Sequence, residues 1–159
     1  MVSKPYIDAT IMAMKEFAVN VETVTPYQKY IISQQNYKPT TFTIPSDFSS
    51  AALLLSAAVL IGENLTIQIT IGKLPQADEA IIDILEVLGA VVTLEKGHIT
   101  IKSPAKLEGG RFDLSNSPDL LPAIAILALK KTKPIEIFNF EHARYKETDR
   151  IAILARELG

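Results

Sequence analysis

The sequence predicts an α/β (α+β) protein built from repeated βαβαββ units, about two units' worth, cut mid-repeat at both ends. Two observations carry this. Segments match in pattern at one fixed offset along the chain: Thr41-Phe42-Thr43-Ile44 with Arg111-Phe112-Asp113-Leu114, Leu65-Thr66-Ile67 with Ile135-Glu136-Ile137, and Leu88-Gly89 with Leu158-Gly159. Phe17-Ala18 is a weaker copy of the last pair, at nearly the same offset before Leu88-Gly89. Within each copy, short alternating runs that suit half-buried strands take turns with long apolar runs that suit helices.

Taken in order, residues 1–40 form the second half of a unit: a helix ending at Phe17-Ala18, then strands over Val19–Val24 and Tyr27–Ile32 turning at Thr25-Pro26. Residues 41–109 make a complete unit. It has a strand over Thr41–Ile44, a helix entered through Ser46-Asp47-Phe48-Ser49-Ser50, a strand at Leu65–Ile67 and a helix ending at Leu88-Gly89. A hairpin of Val91–Leu94 and His98–Lys102 about Lys96-Gly97 closes it. Residues 110–159 supply the first half of a third unit, with a helix entered at Asn116-Ser117-Pro118-Asp119, a strand over Ile135–Phe138 and a last helix from Lys146. A half-unit leaves an apolar helix face or a sheet edge without its partner. The chain is therefore expected to be a piece of a longer protein, or a chain whose half-units complete each other internally or between copies, and self-association is expected.

Composition excludes several classes. A hydrophobic fraction of 48% with 21% charged residues belongs to a globular chain, not a disordered one. With a formal charge of -2 and no basic stretch, the footprint of a nucleic-acid partner is missing. The absence of cysteine rules out disulfides and thiol chemistry in these 159 residues. Ala51 to Ile61, interrupted by Ser56, is the longest apolar run and falls well short of the ~18–20 residues of a membrane helix. The opening Val2-Ser3-Lys4-Pro5 is not a signal-peptide core. A cytoplasmic protein without a membrane partner is expected.

Chemistry concentrates near the end. The run Arg144-Tyr145-Lys146-Glu147-Thr148-Asp149-Arg150 sets three cations among two carboxylates at the start of a helix whose apolar face is Ile151, Leu154 and Leu158. Helix starts present unpaired N–H groups and the positive end of the dipole, so Lys146 and Arg150 would strengthen an anion site there. The alternative is an exposed Glu147-Arg150 pair on a solvated face. Ser46 or Asp47, and Ser117, suit N-caps, and Pro118 suits the first helical position; for Asp47 and Ser49 capping is the favoured role. A right-handed parallel crossover brings successive helix starts to one sheet edge, so Asp119 and the Lys146–Arg150 run could line one cleft.

Four motifs then fall into place together. Ser3-Lys4-Pro5-Tyr6-Ile7-Asp8, Asp47-Phe48-Ser49-Ser50-Ala51, Asn116-Ser117-Pro118-Asp119-Leu120-Leu121-Pro122 and the Arg144–Arg150 run resemble, in order and spacing, successive motifs of the 5-enolpyruvylshikimate-3-phosphate synthase family. The resemblance spans the chain but only the middle of the family's length. It implies the enolpyruvyl transferase fold, two lobes of three βαβαββ units each, with residues 1–40 ending the first lobe. It implies transfer of the enolpyruvyl group of phosphoenolpyruvate to the 5-hydroxyl of shikimate 3-phosphate, with release of phosphate and without metal or cofactor. By the same resemblance Asp119 is the base for the substrate hydroxyl and Glu147 the acid at the methylene carbon. Lys146, Ser3 and Tyr6 contact shikimate 3-phosphate, and Arg150 grips phosphoenolpyruvate, a task suited to a planar two-bond fork.

His142 stands where some members carry a substrate-binding Asn. It either contacts substrate or is a satisfied polar group at a strand end. His98 is expected to face solvent, and no metal spacing is readable. Two other readings stay open: a related enolpyruvyl transferase acting on a nucleotide sugar, and a non-catalytic βαβαββ interaction module. The isolated chain is expected to be inactive, because the family's remaining substrate-binding residues lie outside it.

Overall fold

The structure, a computed structural model, describes every residue except Ile71 and Lys131. Helix α1 (Lys4–Glu16) starts with Pro5 in its first turn, where a missing N–H costs nothing, and carries Lys15 in its last. The hairpin β1 (Glu22–Thr25) and β2 (Lys29–Ile31) follows. None of the α1 residues is buried.

The core lies in what comes next. Helix α2 (Phe48–Ile61) is capped by the Asp47 carboxylate, which accepts the N–H groups of Ser49 at 3.0 Å and Ser50 at 3.2 Å. It ends at Gly62, whose φ of 85° an L side chain would resist. Its buried face sets Ala51, Ala52, Ala58 and Val59 around the wholly buried Leu55, and these small residues let α4 (Leu121–Leu127) come close with Ala123, Ile124 and Leu127. Strands β3 (Leu65–Gln68), β4 (Val91–Glu95) and β5 (His98–Lys102) form an antiparallel sheet in the order β3-β5-β4. Alternation in β5 sends Ile99 and Ile101 into the core. Helix α3 (Ile81–Val87) buries Ile81, Ile84 and Leu85 and gives way at Gly89, with φ of 98°.

Strands β6 (Gly110–Asp113) and β7 (Ile135–Phe138) run parallel, paired from Gly110 with Ile135 to Asp113 with Phe138, with α4 as their crossover. Helix α5 (Arg150–Leu158) ends the chain and packs Ile151 and Leu154 on the core. The fixed offset of the sequence repeat thus sets α2-β3-α3 in register with α4-β7-α5. Among the described residues no helix is long and apolar enough to cross a membrane.

Three expectations are corrected. Thr41–Ile44 is not a strand. The chain reaches β3's extension only beyond this segment, where Ser46 N–H donates to the Thr70 carbonyl at 2.9 Å and Thr70 N–H to Ser46 Oγ at 2.8 Å. Pro45 has no N–H to extend a ladder, and Phe42 packs against Phe17 instead, ring centres 6.0 Å apart. The last helix starts at Arg150 and not at Lys146, because Glu141–Tyr145 form a separate 3-10 turn and Asp149 caps α5 by accepting Ala152 N–H at 2.9 Å. The first hairpin is shorter than expected, since a bulge between Thr23 and Thr25 and a left-handed Tyr27 (φ 59°) use up its middle.

Leu55→Ala should cost about 2–5 kcal/mol, since neighbouring helices cannot collapse into the space. Leu53→Ala on the exposed face of α2 should stay within about 0.5 kcal/mol. Urea unfolding of the two variants checks the contrast.

Candidate active site

Four helix or turn starts converge at one edge of the fold. Tyr6 comes from the first turns of α1, Ser49 from α2, Asp78 from the 3-10 turn Ala77–Ala80 ahead of α3, and Asp119 from the 3-10 turn Pro118–Leu120 ahead of α4. Lys146 and Glu147 lie in the short link before α5, and Arg150 opens that helix. The segments are tied directly: Ser3 N–H donates to the Ser115 carbonyl at 2.8 Å, and Lys4 N–H to Asn116 Oδ1 at 3.3 Å.

Asp119 is the hub. Its Oδ1 accepts Arg150 Nη1 at 2.6 Å and faces Lys146 Nζ at 3.3 Å, while Oδ2 lies 3.2 Å from the Tyr6 hydroxyl. The other arm of Arg150 holds Glu147, Nη2 to Oε1 at 2.7 Å. Lys146 also sits 5.7 Å from the centre of the Tyr6 ring. On the far side Tyr6 Oη lies 3.3 Å from Asp78 Oδ2, which accepts the Ser49 hydroxyl as well. A cleft of about 460 Å³ opens beside this network, lined by Ser49, Ser50, Asp119, Thr148 and Arg150 with Leu53, Pro122, Ile153 and Leu154 as its apolar wall.

The electrostatics follow from this wiring. Burial alone would push the Asp119 carboxyl up, but Arg150 and Lys146 outweigh it and hold it below the ordinary carboxylate range. The bond from Arg150 likewise holds Glu147 down, although Glu147 is largely solvent-facing, with its side chain 70% exposed. Arg150 is pushed up, first by Glu147 and then by Asp119. Burial raises Asp78, beyond what its bonds from Ser49 and Tyr6 offset. Burial and the two carboxylates together keep the Tyr6 phenol firmly protonated. Both cations of the cluster are therefore already matched by carboxylates, and an incoming anion must take their place.

Of the residues singled out from sequence, Tyr6, Asp119, Glu147, Lys146 and Arg150 meet in this one network. Ser3 stands one turn before Tyr6 in a left-handed conformation, φ 58°, with its carbonyl accepting Tyr6 N–H at 3.3 Å. His142 is not joined to the network: it lies half-buried in the 3-10 turn 141–145, with Nε2 buried and without a partner among the described residues. His98 is exposed. Among the described residues no three His, Asp or Glu side chains are grouped to hold a metal ion.

Comparison with known proteins decides the family. The family model described as EPSP synthase (3-phosphoshikimate 1-carboxyvinyltransferase) matches residues 1–159. The chain belongs to the EPSP synthase family. A 3-phosphoshikimate 1-carboxyvinyltransferase of Nitrosopumilus maritimus is 63% identical over 158 residues, covering 99% of this chain and 37% of the relative. One from Methanosphaera stadtmanae is 38% identical, covering 99% and 38%. The EPSP synthase structure from Acinetobacter baumannii superposes with a TM-score of 0.70 at 25% identity, over 90% of this chain and 34% of that one. The enolpyruvyl transferase NikO from Streptomyces tendae shares the fold, with a TM-score of 0.62 at 19% identity over 84% and 33% of the two chains. The chain thus spans a little over a third of the length of these EPSP synthase relatives.

Sequence reading missed Asp78. The repeat held the signal: the same offset that sets Ser49 on Asp119 sets Asp78 on Thr148, so Asp78 occupies the helix-start position equivalent to the stretch that carries Glu147 and Arg150. It was hidden because an Asp in a first turn looks like an ordinary cap.

The pH dependence of stability tests the hub. Asp119 has a folded pKa below its unfolded one, so its contribution is fully present above the unfolded value of about 3.9 and is lost as pH falls through the folded value. The stability gap between the native chain and Asp119→Asn should therefore narrow as pH drops below about 4, measured by urea unfolding across pH.

Proposed function

We propose that the chain supplies part of an enolpyruvyl transfer site, in which the enolpyruvyl group of phosphoenolpyruvate passes to the 5-hydroxyl of shikimate 3-phosphate and phosphate is released, on the way to chorismate and the aromatic amino acids. The observation that supports this reading most is the convergence of Asp119, Lys146, Glu147 and Arg150 in one hydrogen-bonded group beside an open cleft.

The reaction needs a base at the attacking hydroxyl, an acid at the terminal methylene carbon and cations for phosphate and carboxylate. Asp119, ionised and held by two cations, can take the hydroxyl proton. Glu147 is the acid for the methylene carbon. In the free site it is ionised against Arg150, so it must gain a proton when it acts. Substrate supplies the means: once the Arg150 fork turns to the carboxylate or phosphate of phosphoenolpyruvate, Glu147 loses the bond that holds its pKa down. Lys146, Ser3 and Tyr6 contact shikimate 3-phosphate. His142 would join them by turning its unpaired ring nitrogen toward the ligand.

Within this reading residues 1–40 end one lobe, 41–109 form a complete unit of the second lobe and 110–159 the first half of its next unit. The absence of buried residues in α1 and the exposed Ile31, Ile32, Val91 and Leu94 support self-association through these faces. Both substrates are multiply charged and do not cross a bilayer unaided, which fits a cytoplasmic setting.

Amide NMR titration of the chain tests the reading. Shikimate 3-phosphate, then phosphoenolpyruvate, should give saturable shifts clustered at Asp119, Lys146 and Arg150, abolished by Lys146→Ala. A folded spectrum without shifts sinks the proposal for this chain. No turnover is expected from the chain alone, since losing a single acid or base already costs about 10²–10⁴ in rate. Phosphate release that needs both substrates and vanishes in Glu147→Gln would show the chain to be a complete catalyst.

A further inference from the structure

One phenolic oxygen, Tyr6 Oη, lies between two carboxylates, 3.3 Å from Asp78 Oδ2 and 3.2 Å from Asp119 Oδ2. Its single proton can serve one of them. If both acids were ionised, the other contact would set lone pair against lone pair at hydrogen-bond distance. A second proton removes the conflict, and the surroundings decide which acid carries it. Asp119 faces two cations, Arg150 at 2.6 Å and Lys146 at 3.3 Å, and stays ionised. Asp78 faces none among its bonded partners. It is 4% exposed, and among the described residues it is bonded only to the hydroxyls of Ser49 and Tyr6, with its Oδ1 buried and without a partner. The charges that act on it from the packed elements are Asp119 itself and, more weakly, Asp47 from the α2 cap, both of which disfavour a further negative charge. Lys146 lies beyond, against the Tyr6 ring.

We propose that Asp78 is a positioning residue, held as a neutral carboxylic acid that donates to the Tyr6 hydroxyl, so that the Tyr6 proton is committed to Asp119. Two hydrogen bonds then run in one direction, from Asp78 through Tyr6 to Asp119, and each strengthens the next. Ser49 donates to the same Asp78 oxygen and locks the acid in place. An unpartnered carbonyl Oδ1 is tolerable in a neutral acid and costly in a carboxylate, which the burial-driven rise of Asp78 reflects. The consequence for substrate rests on the function proposed above: Tyr6 is aimed in advance, and Asp119 keeps a third donor besides its two cations.

Carboxyl-carbon NMR on chain labelled at aspartate tests the wiring without any ligand. Asp78 should titrate above the ordinary value of about 3.9 and Asp119 below it. Tyr6→Phe, which deletes the relay, should move Asp119 up. Asp78→Asn keeps an N–H that can donate to Tyr6 and should leave the Asp119 titration in place, whereas Asp78→Ala should raise it. In binding to shikimate 3-phosphate the Asn variant should match the native chain, and the Ala variant should be weaker by roughly threefold to tenfold, the worth of one hydrogen bond. Asp78 titrating at or below the ordinary value, or Asn disturbing Asp119 as much as Ala does, overturns the proposal. If Ala prevents folding, the native titration and the Asn and Phe variants still decide it. If native chain fails to bind shikimate 3-phosphate, the proposed function falls while the carboxyl titrations judge Asp78 independently.

Discussion

The parallel crossover β6-α4-β7 is the constraint on which the site depends. A parallel pair must carry the chain back across the sheet before the second strand begins, so both strands exit at one edge and both following helices start there. The pairing from Gly110 with Ile135 to Asp113 with Phe138 fixes that edge. The α2–α4 contact then locks the two units together, since Leu55, Ala58 and Ile124 are buried where the helices meet. Asp119, Lys146 and Arg150 are close in space because their elements have no other place to begin.

Helix starts are also where the backbone is electrically positive and short of acceptors. Carboxylates gather there for that reason alone, and Asp47 and Asp149 serve as the caps of α2 and α5. Asp119 and Asp78 are different. Neither accepts a capping bond at its own helix start, and each is turned toward side chains of other segments. In this fold that contrast separates acids that stabilise a helix from acids that build a site.

Much of this was legible in the sequence, because a repeat constrains more than local propensity does. The fixed offset between copies located α2, β3, α3, α4, β7 and the helix ends at Gly89 and Gly159. The Arg144–Arg150 run and Asp119 could be placed on one edge from the crossover rule. What could not be read was decided by contacts between distant segments. Thr41–Ile44 alternates as a strand should, yet Phe42 finds Phe17 and Pro45 blocks the ladder. Apolar spacing ran back to Lys146, but Asp149 competed for the cap and moved the helix start by a turn. Asp78 carried no local sign of its burial, which arises only when α1 lays Tyr6 over it.

The internal neutrality of the cluster has a bearing on selectivity. With Arg150 shared between Asp119 and Glu147, and Lys146 leaning on Asp119, two cations and two carboxylates cancel. A solvent chloride ion or a lone carboxylate offers little that these resident acids do not already provide. A ligand that brings several anionic groups in the right places does, because it can relieve both cations at once and, on the proposed function, free both acids for proton transfer in the same event. On the proposed function, the acids would act as occupants that a multiply charged ligand displaces more readily than a simple anion does, so that the resident carboxylates themselves screen the site against the common anions of its surroundings.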